Sequence, residues 1–318
     1  MTPVQKYRQL CETEESIPLF SRDWWLDTVC GISKWDVILI ENKGRIVAAM
    51  PIFKPLPNVV SMPSYTQTMG PWFASESSDT KYRTLLGNRQ GLCADLLDSL
   101  QDYSSFLQQF PYTFTDWLPF YWKGFKQTTR YTYILQDITN TDQLWENMSA
   151  NIRRNINKAK EKNGIVIRKG IPSDDFLNVF KATFQRQNKP APKDIEVLKR
   201  IIKVCRKRNQ GDIWGGYDET GRLHAAVFIV WQESSAYYIA GGGDPALRDS
   251  GAHSLVMWEA IQFVSQYTNT FDFEGSMIPG VERFFREFGG RQMPFFTIKR
   301  GRLSLFNRLM IKLRDGLK

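Results

Sequence analysis

The stretch Gly241-Gly-Gly-Asp-Pro-Ala-Leu-Arg-Asp-Ser-Gly-Ala-His253 sets glycines just before an apolar run of helical spacing that starts at His253. Glycine lets backbone amides approach a ligand closely. A helix N-terminus adds unpaired amides and the positive end of a dipole, and together they make a cradle for pyrophosphate. The plainer alternative is an ordinary glycine-rich connection. The amides expected to hold phosphate run from Ser250 through Gly251, Ala252 and His253 to Ser254, and a side chain at Gly251 is expected to block close approach. Further on, Glu274 ends the apolar run Thr270-Phe-Asp-Phe-Glu274, where burial would raise a carboxyl toward the range of a general base. Asp272 lies two residues back and is expected on the same strand face. A strand-end ion pair is the competing reading of Glu274. Tyr237 and Tyr238 point to opposite faces of their strand. Tyr238 is the candidate to donate a proton or stack on a substrate, with core packing as its alternative. The chain has two histidines, His224 and His253, and neither neighbours a nucleophile elbow. No Ser-His-Asp or Cys-His set is readable, so no covalent intermediate is expected, and His224, inside a strand, reads as structural.

The elements that must position these residues follow from apolar spacing. Asp36–Glu41 and Arg45–Phe53 read as a hairpin turned by Asn42-Lys43-Gly44. Leu92–Phe110 has helical spacing up to Pro111, and Tyr112–Asp116 and Thr132–Leu135 read as strands. Asp142 is expected to cap a helix that runs into the basic segment Ser149–Lys158. A strand at Ile165–Arg168, an amphipathic helix from Asp174 to Asn188 and a helix from Asp194 to Arg208 come next. Strands at 212–217, 222–231 and 235–241 follow. The chain then reads as helix 253–266, strand 270–274, helix 280–288 and strand 295–300. This order predicts an α/β (α+β) protein whose functional loop lies at a strand-to-helix junction. The expected division is 1–140, 141–300 and a basic amphipathic tail helix, 301–318. In that tail Leu303, Phe306, Leu309, Met310 and Leu313 share one face. It reads either as a peripheral contact with an anionic membrane or as a helix that covers the core.

The 318 residues carry a net charge of +9, with 42% hydrophobic and 24% charged residues, as in ordinary globular proteins. No apolar run is long enough to span a bilayer, and the polar, acidic start Met1–Glu15 gives no reason to look beyond the cytoplasm. The scattered Cys11, Cys30, Cys93 and Cys205 read as reduced thiols, and no metal site is expected. Charge is uneven. Residues 151–210 carry 17 basic and 5 acidic side chains, and residues 1–150 carry 13 and 16. Such focusing attracts anionic partners, among them a phosphorylated cofactor, a nucleotide-linked sugar, transfer RNA or an anionic membrane. A solvated helix face is the bland alternative.

Three segments resemble the FemAB-like group of the GNAT superfamily. They are Ile152-Arg-Arg-Asn-Ile-Asn-Lys158, Phe271-Asp-Phe-Glu-Gly-Ser276 and Phe284-Phe-Arg-Glu-Phe-Gly-Gly290. Thr66-Gln-Thr-Met-Gly-Pro-Trp72 is similar to a loop of the same group. Arg248-Asp-Ser-Gly-Ala-His253 resembles the GNAT cofactor motif R-x-x-G-x-G/A, with His253 at the last position, where it would crowd a pyrophosphate. Phe285 stands where the family often has lysine, and the helical hairpin of the bridge-forming enzymes is missing. The resemblance implies two GNAT-like halves, each a mixed twisted sheet flanked by helices, with an acceptor groove between them. It implies an N-acyltransferase that moves an acyl group from acyl-CoA (acetyl-CoA) to an amine on a small molecule, glycan or peptide, such as an envelope precursor, by direct attack of the amine. Arg248 and Ser250 to Ser254 would bind the donor. Arg154, Asn155, Arg186, Gln187, Asp272 and Arg286 are the substrate-binding candidates. Two alternatives stand beside this: aminoacyl-tRNA as the donor, as in peptidoglycan bridge formation, and a non-catalytic GNAT-like binding module.

Overall fold

The computed structural model describes residues 1–318 except 187, 189, 191, 193, 305, 306, 308, 309 and 311–318. Gln187, and Phe306, Leu309 and Leu313 of the expected tail helix, lie outside the described residues. The chain forms two compact units, Met1–Arg130 with Pro294–Lys318, and Tyr131–Met293. Both are mixed α/β. Among the described residues no helix is long and apolar enough to cross a membrane.

The first unit opens with α1 (Pro3–Thr13) and α2 (Asp23–Cys30). Thr2 starts α1 through a reciprocal capping box with Gln5, and Pro3 supplies the preset first turn. The hairpin β1 (Trp35–Asn42) and β2 (Arg45–Leu56) turns at Lys43 and Gly44, both at positive φ, the twist that suits a two-residue turn. Then come β3 (Val59–Ser61), β4 (Trp72–Phe73), α3 (Tyr82–Asp98), β5 (Ser105–Phe110) and α4 (Leu118–Trp122). Leu96, Leu97, Phe106, Phe110 and Phe120 fill the core. Two expectations fail here. The helix expected over 92–110 is the end of α3 followed by β5, because Ser105–Phe110 pairs edge to edge with another strand and tertiary pairing overrides local spacing. Tyr112–Asp116 is no strand; the Phe114 amide closes a turn on the Pro111 carbonyl at 2.8 Å.

The second unit begins within β6 (Lys126–Gln136) and goes on through α5 (Thr141–Asn147), α6 (Ala150–Asn157), β7 (Val166–Lys169), α7 (Ser173–Arg186) and α8 (Ile195–Lys207). It continues through β8 (Gly211–Tyr217), β9 (Leu223–Gln232), β10 (Ser235–Gly243), α9 (Ala252–Val264), β11 (Thr270–Asp272) and α10 (Pro279–Glu287). The last strand, β12 (Arg291–Gly301), pairs with β5 over residues 296–301. Asn140 rather than Asp142 caps α5, accepting from the Gln143 amide, and Ser149 caps α6 by accepting from Ile152. The strand order is β6-β11-β10-β9-β8-β7, with β10 and β11 parallel and the other neighbours antiparallel.

Strand β9 is apolar nearly throughout because both its faces are covered. Ala225, Val227, Ile229 and Trp231 face the core formed with α6 and α9. Phe228, on the alternate face, meets Phe176 of α7 with ring centroids 6.4 Å apart. Phe228→Ala removes a ring with no solvent exposure. It is expected to cost about 3–5 kcal/mol, read as a lower urea midpoint with unchanged slope.

Candidate functional site

Strand β11 pairs with β10 at only two positions, Ala236 with Phe271 and Tyr237 with Asp272. Beyond them β10 runs on to Gly243, still paired with β9 on its other edge, through a bulge between Tyr238 and Ala240. One edge of β10 is thereby left without a strand partner among the described residues. Beside it opens a cleft of about 520 Å³. The cleft is lined by the glycines 241–243, by Tyr238, Phe284 and Phe285, and by the loop that leads to α9.

Local packing holds the walls in place. A Cβ on Gly242 would overlap the backbone of Val179 and Phe180, so glycine there lets α7 lie directly on β10. The Gly243 amide donates to Thr183 Oγ1 at 3.2 Å and fixes the end of α7, with Arg186, beside the cleft. Gly251 precedes α9 at φ +79, and a Cβ there would overlap the Asn155 carbonyl at the end of α6. A side chain at Gly251 would therefore also collide with α6. Ser250 takes part in the same junction, its carbonyl accepting from Asn163 Nδ2 at 2.9 Å and its hydroxyl from the Ala252 amide at 3.3 Å. The first turn of α9 lines the cleft, with the Ala252 amide taken by Ser250 Oγ and the Ser254 amide by the Gly251 carbonyl at 3.1 Å.

Most residues singled out from the sequence meet here. Tyr238, Arg248, Ser250, Gly251, Ala252, His253 and Ser254 line the cleft, as do Asn155 and Arg186. Burial drives the Tyr238 phenol well above its ordinary pKa, and its ring packs edge-on to Phe285 at 5.8 Å. His253 is half-buried against Phe284, with ring centroids 5.3 Å apart. Burial pulls its pKa down to about 4, opposed by a hydrogen bond to the Gly242 backbone, so the ring is uncharged at neutral pH.

Arg154, Asp272, Glu274 and Arg286 do not line the cleft. Arg154 is exposed on α6, and Arg286 donates to Glu282 Oε1 at 2.9 Å one turn earlier on α10. Asp272 is buried and accepts from the Thr132 hydroxyl and, at 2.7 Å, from the Glu274 amide. Burial raises its pKa to about 6. Glu274 lies beyond the end of β11 at φ +58, so the alternation that would have placed it on the face of Asp272 is broken. Its Oε1 is buried without a hydrogen-bond partner, and no cation pairs with its carboxyl among the described residues. Burial, and then the neighbouring Asp272, push its pKa well above the carboxylate range. Among the described residues no cation forms the expected strand-end ion pair, and the raised pKa is in the direction a general base needs, but the side chain does not line the cleft.

Sequence reasoning missed Lys158, Thr183, Phe284, Phe285 and His224 as cleft residues. The aromatic pair falls inside a segment already marked, and Phe285 is buried, stacked on Phe273 at 4.9 Å. His224 carried one readable signal: it lies just after the turn Asp218–Gly221, whose aspartate reaches it. A smaller cleft of about 290 Å³, walled by Trp72, Phe73, Arg89 and Asp116, lies in the first unit.

Residues 146–286 match the family described as "Acetyltransferase (GNAT) domain". No curated protein matches the sequence. Among solved structures, FemX superposes with a TM-score of 0.67 at 13% identity, covering 98% of each chain. L-PGS from Bacillus licheniformis gives 0.54 at 13% identity, covering 99% of this chain and 97% of its own. A tandem GNAT protein from the clavulanic acid biosynthesis pathway gives 0.53 at 11%, covering 93% and 94%. Residues 146–286 thus match a GNAT acetyltransferase domain, within a chain whose fold over nearly its whole length is similar to that of FemX and of a tandem GNAT protein.

Proposed function

We propose that this chain is an N-acyltransferase that moves an acyl group from acyl-CoA to an amine. The observation that carries the reading is the cleft itself, where β10 parts from β11 and ends in the turn before α9. An open strand edge offers backbone groups to an amide-rich chain such as pantetheine. The helix start offers amides and dipole to a pyrophosphate. Lys158 and Arg248 line the cleft and supply positive charge. The amine attacks the thioester carbonyl and the carbon–sulfur bond breaks; the departing thiolate takes one proton, and the proton that the nitrogen sheds restores the group that gave it. Tyr238 lines the cleft with a phenol that burial keeps protonated, which suits it to give the thiolate its proton.

A second reading, aminoacyl-tRNA as donor, is favoured by one observation: the 17 basic against 5 acidic side chains of residues 151–210, which include exposed Arg154 and Lys158. The two readings separate by experiment. Acyl-CoA use predicts saturable binding of CoA by calorimetry and release of free thiol with an amine acceptor. Aminoacyl-tRNA use predicts activity lost on treatment with ribonuclease and no CoA binding.

Lys158→Glu combined with Arg248→Glu is expected to weaken CoA binding at least tenfold, about 1.4 kcal/mol, with less effect at high salt. Undiminished CoA affinity in the folded variant would remove these residues from the donor site.

The carboxyl pair predicts a pH dependence of stability. Both groups have folded pKa values above their unfolded ones, so the folded form binds more protons. Their contribution is full below the unfolded values and is lost as pH rises, first through about 6 for Asp272 and then higher for Glu274. Glu274→Gln keeps the uncharged shape. It is expected to raise Tm above wild type at pH 8, with the gap closing toward pH 5, and to change turnover by less than about tenfold. A loss of roughly 10² or more would instead mark proton transfer in the reaction.

A further inference from the structure

The cleft has a second wall, on the α7 face of β9 and β10, that the donor does not account for. His224, Thr183 and Arg186 line it. The His224 side chain is 7% exposed. Its Nε2 lies 3.1 Å from Asp218 Oδ2. Asp218 also accepts from the Thr220 hydroxyl at 2.7 Å and from Arg222 Nε at 2.8 Å, and these bonds hold its carboxyl well below the ordinary range, as an anion. An anionic oxygen accepts, so Nε2 carries a proton, and in the uncharged ring the lone pair is then on Nδ1. That Nδ1 is buried and has no hydrogen-bond partner. A buried acceptor without a donor is rare in a folded protein and costly to keep, so it calls for an explanation. Here it belongs to a residue that lines the cleft.

The surroundings say what else the ligand carries. Arg186 is exposed in the same wall and has no carboxylate partner among the described residues. The donor cradle, by contrast, is built from α6 and α9 on the other face of the sheet. We infer that His224, held by Asp218, forms with Arg186 the acceptor subsite, and that the acceptor is an amine bearing an anionic group, carboxylate or phosphate. The amine N–H donates to His224 Nδ1 and the anion faces the Arg186 guanidinium. Asp218 is the positioning residue that fixes the tautomer. This rests on the acyltransferase reading for the word acceptor, but the binding itself does not depend on any reaction.

The test therefore uses binding. With only two histidines in the chain, ¹⁵N-histidine labelling resolves His224 from His253. Phosphoethanolamine and glucosamine 6-phosphate are titrated against their amine-free counterparts, ethyl phosphate and 2-deoxyglucose 6-phosphate. An amino phosphate is expected to move the His224 Nδ1 resonance and to bind at least tenfold more tightly than its counterpart. His224→Gln keeps a donor for Asp218 but removes the acceptor at Nδ1, so it should weaken the amino phosphate at least tenfold while leaving the CoA dissociation constant within twofold. His224→Asn, which restores a polar atom near Nδ1, should recover part of the loss. Arg186→Gln should weaken amino phosphate and amine-free phosphate alike. The inference is overturned if neither amino phosphate binds. It is also overturned if Nδ1 is indifferent at saturation, as for an atom held by a trapped water, or if His224→Gln weakens CoA instead. Failure of CoA to bind the wild type would end the acyl-CoA reading and leave this subsite to be judged on the amino phosphates alone.

Discussion

The carboxyl of Asp272 accepts two hydrogen bonds, one from the Thr132 hydroxyl on β6 and one from the amide of Glu274 two residues along its own chain. The second bond ends the strand. A backbone amide that turns back onto a side chain is unavailable to a sheet ladder, and the chain takes a left-handed step at Glu274. With β11 stopped, β10 has no strand partner on that edge from Tyr238 onward among the described residues, and the cleft exists because of that gap. The donor loop, the bulge and the start of α9 are arranged along an edge that one buried carboxyl leaves open.

Close backbone contacts then fix the dimensions of the cleft. Gly242 brings α7 onto the sheet from one side, and Gly251 brings α9 against α6 from the other. Between them Phe284 and Phe285, the latter stacked on the core ring of Phe273, give the cleft an aromatic floor, with Tyr238 as its buried phenol. In the family pattern a lysine often occupies the place of Phe285. Here an ammonium at that depth would be desolvated against two rings, and the phenylalanine instead closes the core. His253 likewise serves as a neutral ring packed on Phe284 rather than as a charge beside phosphate.

Much of this was legible in the sequence. The alternating and apolar runs of the second unit gave its strands and helices in order, and the glycine loop before α9 pointed at the cleft. The first unit was read less well for a physical reason. β5 is a strand because β12 pairs with it from nearly 200 positions away, and no local spacing announces such a partner. Helices α1 and α2 precede the first strong apolar alternation and went unremarked, although Thr2-Pro3 and Gln5 spell a capping box. Among site residues, Glu274 was placed by assuming that a strand continues, and a single left-handed residue undid the assumption. The partner of His224 lies in a turn whose contact with the strand depends on the fold, so local spacing does not announce the pair.

The run Gly241–Gly243 has one more consequence. Along these three residues the wall of the cleft is main chain alone, paired with β9 on one side and bare on the other. Anything recognised there is recognised by peptide groups, which every residue shares. Substitution can close such a surface, since any side chain added would fill the space, but it cannot retune it. Variation in what the protein accepts is therefore confined to the flanking helices, and two proteins with this same wall can diverge widely in substrate while the groove that holds their common part stays unchanged.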